Sequence, residues 1–163
     1  MKEYVKKMIS EYPKMVRERA HLKKQIESQE FLSVDELICA MSFSHPDGER
    51  VQSSDLSDKT ARIALEYREK LDKINNELVV PMQKRYSALD KEISFLENSI
   101  EELPENMNTV MHELVIEGFT WKEVAANLHI SITKLQKLRR SAIEYLVRIY
   151  QKRESQLARE LLS

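Results

Sequence analysis

The chain of 163 residues is 42% hydrophobic and 33% charged, which supplies a core for one medium domain or two small ones. Two glycines and four prolines are too few for a turn-rich β fold, and a formal net charge of −1 excludes a polycation. Any nucleic-acid-binding surface must therefore come from a local asymmetry of charge.

The composition also restricts the cellular compartment and the kinds of metal or cofactor site that we expect. The single cysteine, Cys39, excludes an intramolecular disulfide and a thiolate metal cluster, and it fits a reducing cytosol. No apolar run approaches the roughly 20 residues of a membrane span. The histidines lack metal-ligand spacing, and Gly48 and Gly118 cannot form a phosphate-binding loop. We therefore expect a cytoplasmic protein that is not an enzyme, contacts no membrane and needs no metal or cofactor.

The first predicted element is an amphipathic helix from Lys2 to about Ser28. Its apolar residues recur every three or four positions, as one face of a helix requires. They are Tyr4, Met8, Ile9, Tyr12, Val16, Leu22 and Ile26. Because Pro13 lies inside this pattern, we expect either a kink or two shorter helices that meet there.

A polar stretch follows. Ser33-Val34-Asp35-Glu36 has the spacing of a capping box, which predicts a short helix through Met41. His45-Pro46-Asp47-Gly48 is typical of a turn, so residues 42–56 are predicted to be a loop.

Residues 57–102 carry two blocks of heptad-like apolar spacing joined by an extra step, which predicts coiled-coil-like helices. Pro81 falls at the join, where we expect a kink or a break. A helix alone could not bury this stripe, so its partner is the first helix, a second copy of the chain, or both. We interpret residues 1–102 as an N-terminal helical region and residues 103–163 as a separate domain.

Local signals divide that second domain into three helices. Pro104 restarts a helix that Gly118 ends. Thr120-Trp121-Lys122-Glu123 is a second capping box, and Ser131 is a good N-cap for a long final helix. The final helix is basic: residues 131–153 hold seven Lys or Arg and one acid, whereas residues 95–118 hold six acids and no Lys or Arg.

These features together predict a helix-turn-helix. Such a motif needs a small residue where two helices cross, a tight turn, and an outward face on the second helix that enters the major groove. Ala125 is the small residue, and His129 stands in the turn, where a left-handed backbone is tolerated at modest cost. Leu135 and Leu138 are expected to point inward, and Trp121 is expected to anchor the core.

The outward residues of this motif are the predicted DNA-binding residues. Gln, Lys and Arg donate to base edges, and Lys and Arg also neutralise phosphates. We expect Lys134, Gln136, Lys137 and Arg140 to contact bases and phosphates. Thr133 and Lys122 are expected to help set the register.

At these residues the chain resembles a known module. The segment from Leu103 to Leu146 is similar to the fourth conserved region of bacterial sigma-70-type factors, which reads a promoter element. The matching features are Leu103-Pro104-Glu105, Glu117-Gly118, the cap from Thr120 to Glu123, Val124-Ala125, Leu128, Ile130-Ser131, Leu135 and Ala142. It departs from that pattern at His129, where Gly is usual, at Lys134, where Thr is common, and at Asn108-Thr109. The sigma regions that recognise the −10 element are not apparent upstream.

The whole chain resembles phage-encoded late transcription regulators of the RinA/ArpU type. The corresponding stretches are EYPK at residues 11–14, the polar stretch at residues 45–64, and the segment after Leu103. The resemblance implies a DNA-binding activator of late phage or prophage genes in a bacterial host. We further expect a homodimer. The acidic opening helix (Glu105, Glu113 and Glu117) and the N-terminal region would remain free to engage RNA polymerase or a second subunit.

Two other functions stay open at this stage. A small-terminase-type packaging protein would also bind DNA but would assemble as a ring. A protein-interaction module of the anti-sigma kind would bind polymerase without DNA.

Overall fold

A computed structural model of the chain describes residues 1–29, 65–73 and 75–162. Every regular element in these ranges is helical, which confirms the predicted all-α class. The α-helices are α1 (Lys2–Gln29), a helical stretch at residues 65–73, α2 (Val80–Glu101), α3 (Glu105–Met111), α4 (Trp121–Asn127) and α5 (Ile132–Leu162). Two π-helices, Asn75–Val79 and His112–Ile116, precede α2 and follow α3. The predicted short helix from Ser33 to Met41 and the predicted loop at 42–56 lie outside the described residues.

Helix α1 runs without interruption through Pro13, so the alternative of two shorter helices is wrong. Pro13 is exposed, and the helix buries a stripe on both sides of it. The buried residues are Val5, Met8, Ile9, Tyr12 and Met15. Packing of this face offsets the one backbone hydrogen bond that a proline removes. Tyr4, which we expected in the stripe, is 45% exposed, and Val5 is buried instead.

The predicted irregularity near Pro81 takes the form of the π-helix Asn75–Val79. A π turn inserts a residue into the helical repeat, which is one way to absorb the extra step between two heptad blocks. Pro81 then stands second in α2, directly after the π-helix.

The chain forms two compact units, one of Met1–Arg19 with Ala88–Ser163 and one of Ala20–Ser87. The predicted division at residue 102/103 is a different one and stays a prediction. In the first unit, α2 buries its heptad positions Leu89, Ile93, Leu96 and Ile100.

Side-chain contacts join α1, α2 and α5 within that unit. Glu92 of α2 accepts hydrogen bonds from Tyr4 of α1 at 3.3 Å and from Nη2 of Arg153 of α5 at 2.9 Å. The Arg153 guanidinium also stacks over the Phe95 ring, 4.1 Å from its centroid. Phe95 in turn meets the Tyr150 ring edge to face at 4.8 Å. The C-terminal helix is therefore anchored to α2 and α1 within this unit.

None of the described helices is apolar over a length that could cross a membrane.

Candidate nucleic-acid interface

Helix α4 begins at a complete capping box. The Thr120 hydroxyl accepts a hydrogen bond from the backbone N–H of Glu123, and the Glu123 carboxylate accepts one from the backbone N–H of Thr120 at 2.7 Å. This backbone hydrogen bond, followed by one from the Thr120 hydroxyl, lowers the pKa of Glu123. The two reciprocal bonds satisfy donors that the first turn of a helix leaves free, so the predicted start of this helix is confirmed.

A tight turn then leads into α5. His129 has a φ of 51°, the left-handed conformation that we allowed for at this position. The backbone N–H of Ile130 donates to the carbonyl of Ala125 at 3.0 Å, which closes the turn. Ser131 caps α5, since its hydroxyl accepts from the backbone N–H of Lys134 at 3.2 Å. Local sequence signals therefore fix both the end of α4 and the start of α5.

A small apolar core sits between these helices and α3. Val110, Val124 and Leu135, one from each helix, are fully buried. The residues packed against them are Leu114, Ala125, Leu128, Ile130 and Leu138. The predicted inward positions of α4, the turn and α5 are thus confirmed, with Ala125 partly rather than fully buried. This core sets how α5 crosses α4.

All six predicted DNA-binding residues lie on the surface. They are Lys122 on α4 and Thr133, Lys134, Gln136, Lys137 and Arg140 on α5. The inward positions Leu135 and Leu138 alternate with them, so the exposed set occupies the outer side of the first turns of α5. Their exposure is observed, whereas their role in binding DNA stays a prediction.

The seven basic residues of 131–153 differ in their surroundings. Arg153 is bound to Glu92 within the fold. Arg139 is half-buried and lies against Trp121. Among the described residues, no carboxylate lies within ion-pair distance of the other five, all of them exposed: Lys134, Lys137, Arg140, Arg148 and Lys152. Glu144, which stands four residues from both Arg140 and Arg148 on the same helix, pairs with Lys2 at 3.7 Å.

Trp121 does not anchor the core, and that prediction is wrong. Its side chain is 37% exposed, and the guanidinium carbon of Arg139 lies 5.5 Å from its ring centroid. Trp121 directly follows the N-cap, where a side chain can lie beside the next helix rather than beneath it. The sequence offered no signal for the pairing, because it depends on how α5 crosses α4.

The acidic residues of the preceding helical segment differ in their surroundings. Glu105 is exposed. Glu113 is half-buried and accepts a hydrogen bond from the Asn127 amide at 3.3 Å, which ties this segment to the end of α4. Glu117 lies 3.8 Å from the imidazole of His112. In this part of the described chain, acidic residues lie on the segment before α4, and five basic residues without a carboxylate partner among the described residues lie on α5.

Within the described part of the chain, no group of three or more His, Cys, Asp or Glu residues is placed to hold a metal ion. Comparison of the chain with protein families, with curated proteins and with solved structures gives no match.

Proposed function

We propose that this chain is a sequence-specific double-stranded-DNA-binding regulator of transcription, in which α4, the turn at His129 and α5 act as a helix-turn-helix. One observation carries the proposal: the outer side of the first turns of α5 presents Lys134, Gln136, Lys137 and Arg140 to solvent. The three cations have no carboxylate partner among the described residues. A basic, exposed helix braced by a short neighbour is the geometry that enters a major groove.

The chemistry of the exposed residues assigns their roles. The Gln136 amide can donate and accept at adenine, and the Arg140 guanidinium can donate two bonds to guanine. Lys134 and Lys137 neutralise phosphates or donate to bases. Lys122 of α4 and Thr133 at the start of α5 hold the register on the backbone.

The biological setting comes from the resemblance to late transcription regulators of phages. It extends the proposal to activation of late phage or prophage genes in the bacterial cytoplasm. RNA polymerase would be engaged through the acidic segment before α4, where Glu105 and Glu117 are exposed. A homodimer would place two such motifs on neighbouring half-sites and raise the affinity of each.

The test begins with DNA fragments retrieved from the source genome by the purified full chain. Mobility shifts over a salt series follow, on the retrieved fragment and on a scrambled duplex of equal length. Phosphate contacts predict affinity that falls steeply with salt.

The variants Lys137→Ala and Arg140→Ala, combined, should weaken binding to the retrieved fragment more than tenfold and reduce the salt slope by about 1 for each of the two side chains that contacts a phosphate. Arg159→Ala, an exposed arginine in the last turn of α5, is the matched control and should leave both values unchanged. Unchanged binding by the double variant would remove these residues from the interface.

Two further results separate the other functions. Retrieval of no fragment, together with capture of RNA polymerase, would favour the interaction module over the DNA-binding regulator. Light scattering that gives a ring rather than a monomer or dimer would favour the packaging protein.

A further inference from the structure

Arg139 and Trp121 form a cation–π pair beside the proposed interface. Neither residue belongs to the buried core or to the six predicted DNA-binding residues. The guanidinium carbon of Arg139 lies 5.5 Å from the Trp121 ring centroid, within the roughly 6 Å range of a cation–π contact. Trp121 is 37% exposed and is absent from the buried cluster of Val110, Val124 and Leu135. The pair is therefore a surface feature that links α4 to α5.

Stacking constrains an arginine without occupying its hydrogen-bond donors. A guanidinium that lies over an aromatic ring keeps the N–H groups at its edge free, and its side chain loses rotamer freedom in advance. Among the described residues no carboxylate lies within ion-pair distance of Arg139. Arg153 shows the contrast on the same helix: it also stacks on a ring, that of Phe95, but its donors are bound by Glu92.

The position of Arg139 indicates what its free donors can reach. It precedes Arg140 on α5, and its partner ring precedes Lys122 on α4, and both of these cations are exposed. Arg139 also stands three residues after the exposed Gln136, so these two side chains are neighbours on the surface of α5. An anion with two acceptor oxygens fits a guanidinium edge, and the phosphodiester of a DNA backbone supplies one.

We propose that Arg139 binds a backbone phosphate of duplex DNA and that Trp121 is the positioning residue that holds its guanidinium ready. This inference rests on the proposed function and adds a contact that is independent of base sequence. Arg139 therefore contributes to affinity on every duplex, whereas Gln136 and Arg140, the proposed base contacts, discriminate among duplexes.

The chain offers a direct probe of this site, because Trp121 is its single tryptophan. Titration of the unmodified full chain with the retrieved duplex should change the tryptophan emission with the same midpoint as the mobility shift. The change should reverse on addition of salt, because the contact is to phosphate.

Variants then separate a binding role from a structural one. Arg139→Ala should weaken binding roughly tenfold at 0.1 M salt and lower the salt slope by about 1, equally on the retrieved and the scrambled duplex. Arg139→Gln, which keeps a polar side chain of similar reach without charge, should show the same loss. Arg159→Ala again serves as the control for removal of one exposed arginine.

A double-mutant cycle on DNA affinity tests the role of Trp121. Trp121→Ala should lose about as much affinity as Arg139→Ala, and the two together should lose no more than either alone. Trp121→Phe, which restores a ring for stacking, should recover most of the affinity. A purely structural role would lower the unfolding temperature of these variants without changing the salt slope.

The outcomes distinguish the two proposals. If the unmodified chain binds no duplex, the proposed function fails and this inference fails with it. If the chain binds DNA but Arg139→Ala and Arg139→Gln keep the parental affinity and salt slope, only this inference is overturned.

Discussion

The Tyr12 hydroxyl donates a hydrogen bond of 2.6 Å to the Glu97 carboxylate, across 85 positions of sequence. Tyr12 is buried in the stripe of α1, and Glu97 is half-buried on α2. Burial first, and then the bond to Glu97, raises the pKa of Tyr12, so the hydroxyl stays protonated and donating throughout the neutral range. This contact joins the first helix to the heptad helix that sequence spacing alone could not assign to a partner.

Replacement of Tyr12 by Phe should destabilise the protein by about 1–2 kcal/mol, because it removes a charge-assisted hydrogen bond and leaves the Glu97 carboxylate without that donor. Urea unfolding at pH 7 measures the change. Tyr145→Phe, at a tyrosine that is 40% exposed on α5, is the matched control and should change stability little. The double variant Tyr12→Phe with Glu97→Gln should be less destabilised than the sum of the single variants. Additive losses would show that the bond contributes nothing to the folded state.

Replacement of Tyr150 by Phe should have the opposite effect. Tyr150 is 2% exposed, and its hydroxyl has no hydrogen-bond partner among the described residues. Burial, and then the nearby Glu92 carboxylate, raises the pKa of this tyrosine, so the group is buried as a neutral, unpaired hydroxyl. Its ring contacts with Phe95 and Tyr4 do not need that oxygen. Phe at this position should therefore leave stability unchanged or raise it by up to about 1 kcal/mol. A loss of more than 1 kcal/mol in urea unfolding would mean that the hydroxyl is paired in solution.

Local signals in the sequence were sufficient for the elements around the candidate interface. A cap, a turn and the residues that follow it interact within a few positions, so Thr120 with Glu123, and Ser131, were predicted and confirmed. The heptad-like spacing of residues 57–102 likewise predicted one covered helical face, and Leu89, Ile93, Leu96 and Ile100 of α2 are buried.

Features that depend on contacts between helices could not be predicted from local sequence signals. The sequence placed Tyr4 in the buried stripe, but Tyr4 is 45% exposed and its neighbour Val5 is buried. It grouped Arg139 and Arg153 with the other cations of the basic run, because their aromatic partners lie on other helices. Nothing in the spacing of Trp121 distinguishes a core anchor from a surface ring, since that depends on the crossing of α4 and α5.

The pKa values of Glu3 and Glu123 should respond differently to salt. The pKa of Glu123 is lowered chiefly by the backbone hydrogen bond from Thr120, and that of Glu3 by its hydrogen bond and charge pairing with Lys6. In both cases a lowered folded-state pKa means that the contribution to stability is present above the ordinary value of 4.5 and is lost as the pH falls below it. In 1 M salt the pKa of Glu3 should rise toward that value, because its charge pairing is screened, while Glu123 should keep its low pKa. Side-chain NMR titration in low and high salt measures both, and equal responses would contradict a capping origin for Glu123.

His129 and Gly118 both have a positive φ, and substitutions at these two positions should change the stability of the protein in opposite directions. His129 has a φ of 51° and is exposed, so it bears the cost of a left-handed backbone without using its side chain in the core. His129→Gly should stabilise the protein by about 0.5–1 kcal/mol, since relief of that strain exceeds the added freedom of the unfolded chain. Gly118 has a φ of 70°, and a Cβ there would meet no atom within 4 Å, so only the backbone opposes a side chain. Gly118→Ala should therefore cost about 1 kcal/mol without disturbing packing. Thermal unfolding of both variants beside the parent checks the signs, and a destabilised His129→Gly would show that the imidazole supports the turn.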